Sequence, residues 1–455
     1  MRAIARKLSG GSLTARALRS GLFTVGGFGM TQLVRLGSNL ILTRILFPEA
    51  FGLMALTMVF LQGLQMFSDV GVSPAIQQSK RGDDADFLDT AWTIQVVRGF
   101  GLWLAACAMA WPLAQFYDEP QLVMLLPLMS LTLIIQGFNP TKMETANRHL
   151  ILGRVTLLEI ATQLVGVFFA ILLAYWLQSV FALVVSGIVS MAAQLWLNMK
   201  FLPGRGNQFR WEKPAVQELI NFGKWIFLST LVGFLFHQGD KIILGRYLPI
   251  DQFGVYNIGF FLASFPMLLG MVVTRKVLIP IYRETPPGAA PENFAKLRRM
   301  RVMVTSGLMV LQAIFAASGV WLVGVMYDDR YAMAGPVAVV IAIAQLPLIV
   351  ALTYDQTAVA AGDSRRFFGL QSARATFMII GLLAGVHFGG LFGAIAGQGV
   401  AMIAVYPVVV RLARKMKAWD PMHDLVFAVV GGLIALLAWM INGAAIMTLF
   451  PGAAT

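Results

Sequence analysis

Arg35 and Arg98 each lie deep inside a long apolar run. A charge at the centre of a bilayer costs roughly 3 kcal/mol or more, so each one needs a physical reason to be there. A guanidinium donates two parallel, charge-assisted hydrogen bonds, which suits it to a carboxylate on a neighbouring helix or to a phosphate-like anion. Gln32, Arg35 and Asn39 fall within roughly 60° of one another on a helix, giving one face with a cation between two amides. Asp69 counts to about the same depth as Arg98, so the two could pair. For both arginines, anion binding and ion pairing stay open. Asp69 has a further structural reading, a helix bend ahead of Gly71 and Pro74.

A second polar face comes from Thr230, His237 and Lys241, at i, i+7 and i+11, flanked by Ser229 and Asp240. Histidine titrates near neutrality, so His237 is a candidate for proton coupling; a plain buried hydrogen bond is the alternative. A third face carries Thr156, Glu159 and Gln163, with Glu159 either titrating or bridging to Arg154 or Arg148. The binding candidates are therefore Arg35, Arg98, Gln32, Asn39, His237 and Lys241, and the coupling candidates Asp69, Glu159 and Asp240. No catalytic residue stands out. The four histidines form no i, i+4 pair and no HExxH, and the single Cys107 excludes an internal disulfide or a cysteine cluster. No GxxxxGK[ST] loop occurs. Neither a metal nor a cofactor is expected.

These side chains must be carried by helices that cross a membrane. The 455 residues are 58% hydrophobic and 13% charged, where a soluble domain carries about 25% charged residues. Apolar runs of about 20 residues, long enough to span a bilayer core, recur from end to end. The fold class is all-α and polytopic. Spans are expected at 18–46, 50–78, 87–115, 120–143, 152–177, 179–202, 215–247, 251–281, 296–326, 332–360, 366–388, 392–414 and 424–449. Only Gln178 and Ser179 mark the turn between the fifth and sixth. The basic start before 18–46 resembles a signal peptide, but that run is too long and lacks a cleavage site, so it reads as a retained first span.

The net charge of +13 would suggest nucleic acid in a soluble protein. Here the cations fall in alternate loops, and no nucleic-acid partner is expected. The N-terminal tail and the loops after even-numbered spans hold nearly all of them, for example Lys80, Arg81, Arg205, Arg210, Arg283, Arg301, Arg374 and Lys417. The other loops are short and mostly acidic. This positive-inside pattern puts the N-terminus in the cytoplasm and, with thirteen spans, Thr455 outside.

One corner is written twice. "LTRILFPEAFG" at 42–52 returns as "LGRYLPIDQFG" at 244–254, pairing Arg44 with Arg246, Leu46 with Leu248, Glu49 with Asp251 and Phe51–Gly52 with Phe253–Gly254. Proline stops a helix, an acid suits a helix start and glycine permits close approach, so the corner marks architecture more than a site. The chain reads as two parallel six-helix lobes around a central cleft plus one extra helix: 1–208, 209–418 and 419–455. The stretch "PGRGNQFRWEKP" at 203–214 reads as a flexible cytoplasmic linker. The stretch 283–301 contains a basic helix start expected to lie on anionic lipid.

"LTRILFPEAFGLMAL", "FSDVGVSPAIQQ" at 67–78 and "DKIILGRYLPIDQFGVYN" at 240–257 resemble the polysaccharide-transporter branch of the multidrug/oligosaccharidyl-lipid/polysaccharide flippase superfamily. They resemble in particular the Wzx-type bacterial exporters, over about residues 15 to 415. The resemblance implies a two-lobed, twelve-helix core in the bacterial cytoplasmic (inner) membrane. It implies alternating-access transfer of an undecaprenyl-pyrophosphate oligosaccharide to the outer leaflet, for exopolysaccharide or O-antigen (lipopolysaccharide) synthesis. The partners it implies are the lipid-linked oligosaccharide, membrane lipids, a polysaccharide polymerase and a chain-length regulator. The thirteenth span departs from that pattern. An exporter of the same superfamily for a drug or another lipid is the alternative. A membrane-embedded polymerase or ligase would need a substantial outer loop, and the outer loops here are a few residues long, so the expectation is a transporter and not an enzyme.

Overall fold

The computed structural model describes residues 13–68, 71–149, 151–274 and 278–450. Among the described residues, helix occupies most of each of the thirteen expected segments, and no strand occurs. The first half holds α1 (Leu13–Ile45), α2 (Pro48–Phe67), α3 (Val72–Gln78), α4 (Ala85–Tyr117), α5 (Leu122–Gly137), α6 (Lys142–Arg148), α7 (Leu152–Leu177) and α8 (Val180–Phe201). The second holds α9 (Lys213–Tyr247), α10 (Ile250–Ala263), α11 (Phe265–Val273), α12 (Ile279–Glu284), α13 (Pro291–Met326), α14 (Ala334–Ala360), α15 (Ser364–Lys415) and α16 (Pro421–Met447).

The repeated corner is a two-residue break in both places. Pro48 opens α2 at its first position, where a missing N–H loses nothing. Pro249 caps α10. The Leu46 N–H donates to the Leu42 carbonyl at 2.8 Å, and the Leu248 N–H to the Leu244 carbonyl at 2.8 Å. Glu49 and Asp251 sit in the first turns, against the positive helix end. The turn between the fifth and sixth spans is also formed as expected: Gln178 takes a left-handed φ of 44°, and the Ser179 side chain caps α8.

Several expected spans are broken. Gly71, at φ 68°, separates α2 from α3. The α5–α6 pair bends by 61° and the α10–α11 pair by 47°. α15 runs to 52 residues but leaves helical geometry at Gly389 and Gly390, the latter at φ 54°, ψ −137°, a conformation open essentially to glycine alone. Its two halves then pack with Gly381 on Gly397 and Gly385 on Gly393; a Cβ at any of these would lie within 2.4 Å of the facing carbonyl oxygen. By length and composition alone, eight helices qualify as spans, or ten if each bent pair is one, against the thirteen expected. That reckoning counts α15 once although it turns back on itself.

Two compact units emerge, Met1–Leu231 and Val232–Thr455, divided inside α9. In the first, Ala215 and Leu219 of α9 join a buried cluster with Val72, Ile76, Phe87 and Leu88. In the second, α14 is the core helix: 72% of its most apolar window is buried, against 17–44% in the other candidate spans. The last helix belongs to this unit. Phe427 of α16 packs with Met267, Leu308 and Leu346, and the Asn442 amide donates to the Ala316 and Ala317 carbonyls at 3.1 Å.

The connection before α9 is not the free tether its composition suggests. Asp89 of α4, buried, pairs with Arg205 and accepts from the Gln208 N–H at 3.2 Å. Asn207 donates to Thr141 Oγ1 at 2.8 Å. The Arg210 and Glu212 N–H groups donate to Thr93 and Thr90 hydroxyls at 3.0 and 3.2 Å. Arg210 also pairs with Asp86 at 2.7 Å, and Arg81 with Glu212 at 2.8 Å. Glycine and proline set the chain's path here, and side chains on α4 hold it down.

Candidate functional site

On α1, Arg35 is exposed on the unit's surface, with Gln32 and Asn39 partly exposed beside it. The neighbouring helix explains how the face is fixed. Gln163 of α7 donates to the Thr31 carbonyl at 2.9 Å. A Cβ on Gly27 would lie 2.1 Å from Thr156 Cγ2, so only glycine lets α7 approach so closely there. Thr156 and Gln163 thus pack against α1, while Glu159 stays exposed. Of the two expected partners of Glu159, Arg148 pairs with Asp83 at 3.2 Å, and Arg154 donates to the Phe201 carbonyl at 3.4 Å.

Arg98 is half-buried, and its guanidinium is directed at the end of α2. Nε donates to Ser68 Oγ at 2.9 Å and Nη2 to the Gln65 carbonyl at 2.6 Å. Both satisfy groups at the helix C-terminus, where a cation is favoured. Asp69 lies outside the described residues, and so does its pairing with Arg98. Gln65 and Gln136 are joined at 2.9 Å nearby.

The expected stripe on α9 is divided. His237 is exposed, its ring 5.1 Å from that of Phe236. Asp240 is buried and accepts from the Tyr256 hydroxyl of α10 at 2.6 Å. Lys241 donates to Gln238 at 3.1 Å, with its ammonium 5.2 Å from the Phe260 ring. Asp240 and Lys241 therefore meet α10.

Two buried polar assemblies in the second unit escaped the sequence reading. Arg374 and Arg301, counted there as loop cations, are both about 2% exposed. Arg374 pairs with Asp355, an acid inside the apolar run of α14. The Arg301 guanidinium stacks 4.2 Å from the Tyr354 ring centroid. Asp424 accepts from Tyr354 at 2.7 Å and Tyr406 at 2.6 Å, and lies 2.9 Å from His423 Nδ1. His423 Nε2 is 3.1 Å from Thr305 Oγ1. Arg298 pairs with Asp420 at 2.9 Å. The signal for the first assembly was Asp355 itself. The second was hidden because His423 and Asp424 sit at a span start and resemble ordinary helix-start residues.

Outside the membrane-spanning helices, the turn between α3 and α4 concentrates charge. His149 Nε2 lies 2.8 Å from Asp83, and with Arg148 it holds that carboxyl below the usual carboxylate range. Arg81, at 2.9 Å, does the same for Asp84, helped by the Asp86 N–H. Among the described residues no group of three His, Cys, Asp or Glu side chains is placed to hold a metal ion.

Several proteins are similar to this chain in sequence or in fold. Teichuronic acid biosynthesis protein TuaB of Bacillus subtilis is 20% identical over 72% of this chain and 68% of its own. Succinoglycan biosynthesis transport protein ExoT of Rhizobium meliloti is 23% identical over 67% of this chain and 61% of its own. For lipopolysaccharide biosynthesis protein WzxC of Escherichia coli the values are 21%, 56% and 51%. The matches thus span about half to two thirds of these relatives' lengths. Among solved structures, the lipid II flippase MurJ in an inward closed conformation aligns over 93% of this chain and 99% of its own, with a TM-score of 0.68 at 10% identity. An inward-facing multidrug resistance MATE family transporter of the MOP superfamily aligns over 85% and 95%, with a TM-score of 0.61 at 13% identity. At such identities the likeness establishes the fold. The sequence profile of one family, described as polysaccharide biosynthesis protein, matches residues 41–336. The chain therefore belongs to that family.

Proposed function

We propose that this protein is a flippase moving an undecaprenyl-pyrophosphate-linked oligosaccharide from the cytoplasmic to the outer leaflet by alternating access, for surface or exported polysaccharide. The names of its relatives, which include a succinoglycan transport protein and a lipopolysaccharide biosynthesis protein, support the substrate class. The observation that carries the mechanism is Arg35, exposed on α1, the expected first span, between two partly exposed amides rather than sunk in the unit's interior like Arg374. A guanidinium so presented suits a pyrophosphate, with Gln32 and Asn39 suited to sugar hydroxyls. Arg98 is turned toward Ser68 and Gln65 and serves chiefly to place α2 against α4. His237 and Lys241 are the corresponding polar contacts in the second unit. Asp69, Glu159 and Asp240 are the acids through which an ion gradient would act. A polymerase and a chain-length regulator would take the product.

The test is export of lipid-linked sugar in cells, read with membrane abundance of the protein. Arg35→Ala should abolish most export at normal abundance, and Arg35→Lys should restore part of it, since lysine keeps the charge and loses the fork. Normal export by Arg35→Ala at normal abundance would refute the mechanism.

A further inference from the structure

We propose that a cavity at one end of the second unit binds the phosphate headgroup of an anionic phospholipid. The cavity, ≈490 Å³, is walled by Arg283, Lys415 and Lys417, and its lining contains no acid. Basic pockets between helix ends at the membrane surface suit such headgroups. The plainer account is that these cations only complement helix C-termini. Arg283 and Lys415 fit it, lying in the last turns of α12 and α15.

Lys417 adds a feature that account does not need. It stands beyond the end of α15 with φ 53°, a left-handed conformation. Its own N–H bonds to the Arg414 carbonyl at 3.0 Å, and the next N–H, of Ala418, to Ala413 at 2.8 Å. A helix closed this way usually has glycine at that place, because any Cβ there is strained. A lysine in that place, rather than glycine, puts a long cationic side chain on the cavity wall. Gly288 in the opposite loop makes the room: a Cβ there would lie 2.6 Å from Lys417 Cδ. The lysine stem is thereby laid along the cavity wall.

The remaining walls select a lipid over a free anion. Pro286, Pro287, Ala360 and Met416 are apolar and offer contact to glycerol and the first acyl carbons. The Tyr282 and Thr357 hydroxyls are turned away onto the Thr353 and Tyr354 carbonyls, which leaves the three cations as the ionic donors.

The experiment uses the full-length protein, delipidated in neutral detergent and titrated with phosphatidylglycerol, phosphatidylcholine or inorganic phosphate. Lipid retention is read by native mass spectrometry and stability by Tm. Wild type should retain phosphatidylglycerol and gain Tm from it, with phosphatidylcholine and phosphate doing neither. Lys417→Gly removes both the strain and the charge, so without lipid its Tm should equal or exceed wild type. Its affinity for phosphatidylglycerol should fall about fivefold, as should that of Arg283→Gln. The proposal is overturned if both variants bind phosphatidylglycerol as wild type does. Equal retention of phosphatidylcholine, or equal stabilisation by phosphate, would overturn it too.

Discussion

Asp355 of α14 and Arg374 of α15 form a two-point ion pair, Nη1 to Oδ2 at 2.5 Å and Nη2 to Oδ1 at 2.9 Å, with both residues buried. The pair joins the core helix of the second unit to its neighbour. A buried pair of this kind adds little net stability over hydrocarbon, yet removing one partner strands the other charge. Arg374→Met alone and Asp355→Leu alone should each lower stability by about 3–5 kcal/mol, while the double change should recover most of the loss. Thermal unfolding in detergent reads this directly. If the two single losses simply add in the double variant, the pair is not coupled.

The strap on α4 gives a second expectation. Asp89 receives Arg205, Asn207 and the Gln208 N–H. Asp89→Ala should free residues 203–212, exposing the Arg205 and Arg210 bonds to trypsin. Cleavage should rise by about tenfold if anchoring is worth about 1.4 kcal/mol, a modest value for charged hydrogen bonds. Unchanged digestion would mean that the bonds at Thr90 and Thr93 suffice.

The glycines of α15 should separate by position. Gly385 and Gly393 touch each other's carbonyls, whereas Gly389 has open space around it. Gly393→Ala should cost about 1–3 kcal/mol through overpacking. Gly390→Ala should cost a similar amount through backbone strain. Gly389→Ala, at φ −142°, should be tolerated. Equal abundance and Tm across the three would argue against the antiparallel packing of the two halves.

The turn between α3 and α4 should be acid-sensitive. The Asp83 and Asp84 carboxyls are held below their ordinary values, so the folded state binds fewer protons there than the unfolded one. Their contribution is therefore complete above the unfolded carboxylate value of about 4 and is lost as pH falls through the depressed folded values. Asp83→Asn combined with Asp84→Asn should flatten that part of the stability profile and leave the profile above about pH 5 parallel to wild type. Equal slopes in acid would show that other carboxylates set them.

The helices were legible in the sequence because a bilayer imposes one rule over long stretches: every backbone polar group must be satisfied within a run of apolar residues. The helical course of the chain could be placed, as could the duplicated corner and even the turn marked only by Gln178 and Ser179, though eight to ten helices qualify as spans against the thirteen expected. The family resemblance was legible for the same reason, since proline, acid and glycine at a corner leave a local signature. Which polar residues meet was not local information. Arg374 and Arg301 read as loop cations because hydropathy sees only neighbours in sequence, and their burial depends on Asp355 and Tyr354 on another helix. Composition likewise made 203–214 look free, because its anchors Asp89, Thr90 and Thr93 lie more than a hundred residues earlier. A side chain's fate in an all-helical bundle is set by the helix it faces, and facing is decided only when the helices pack.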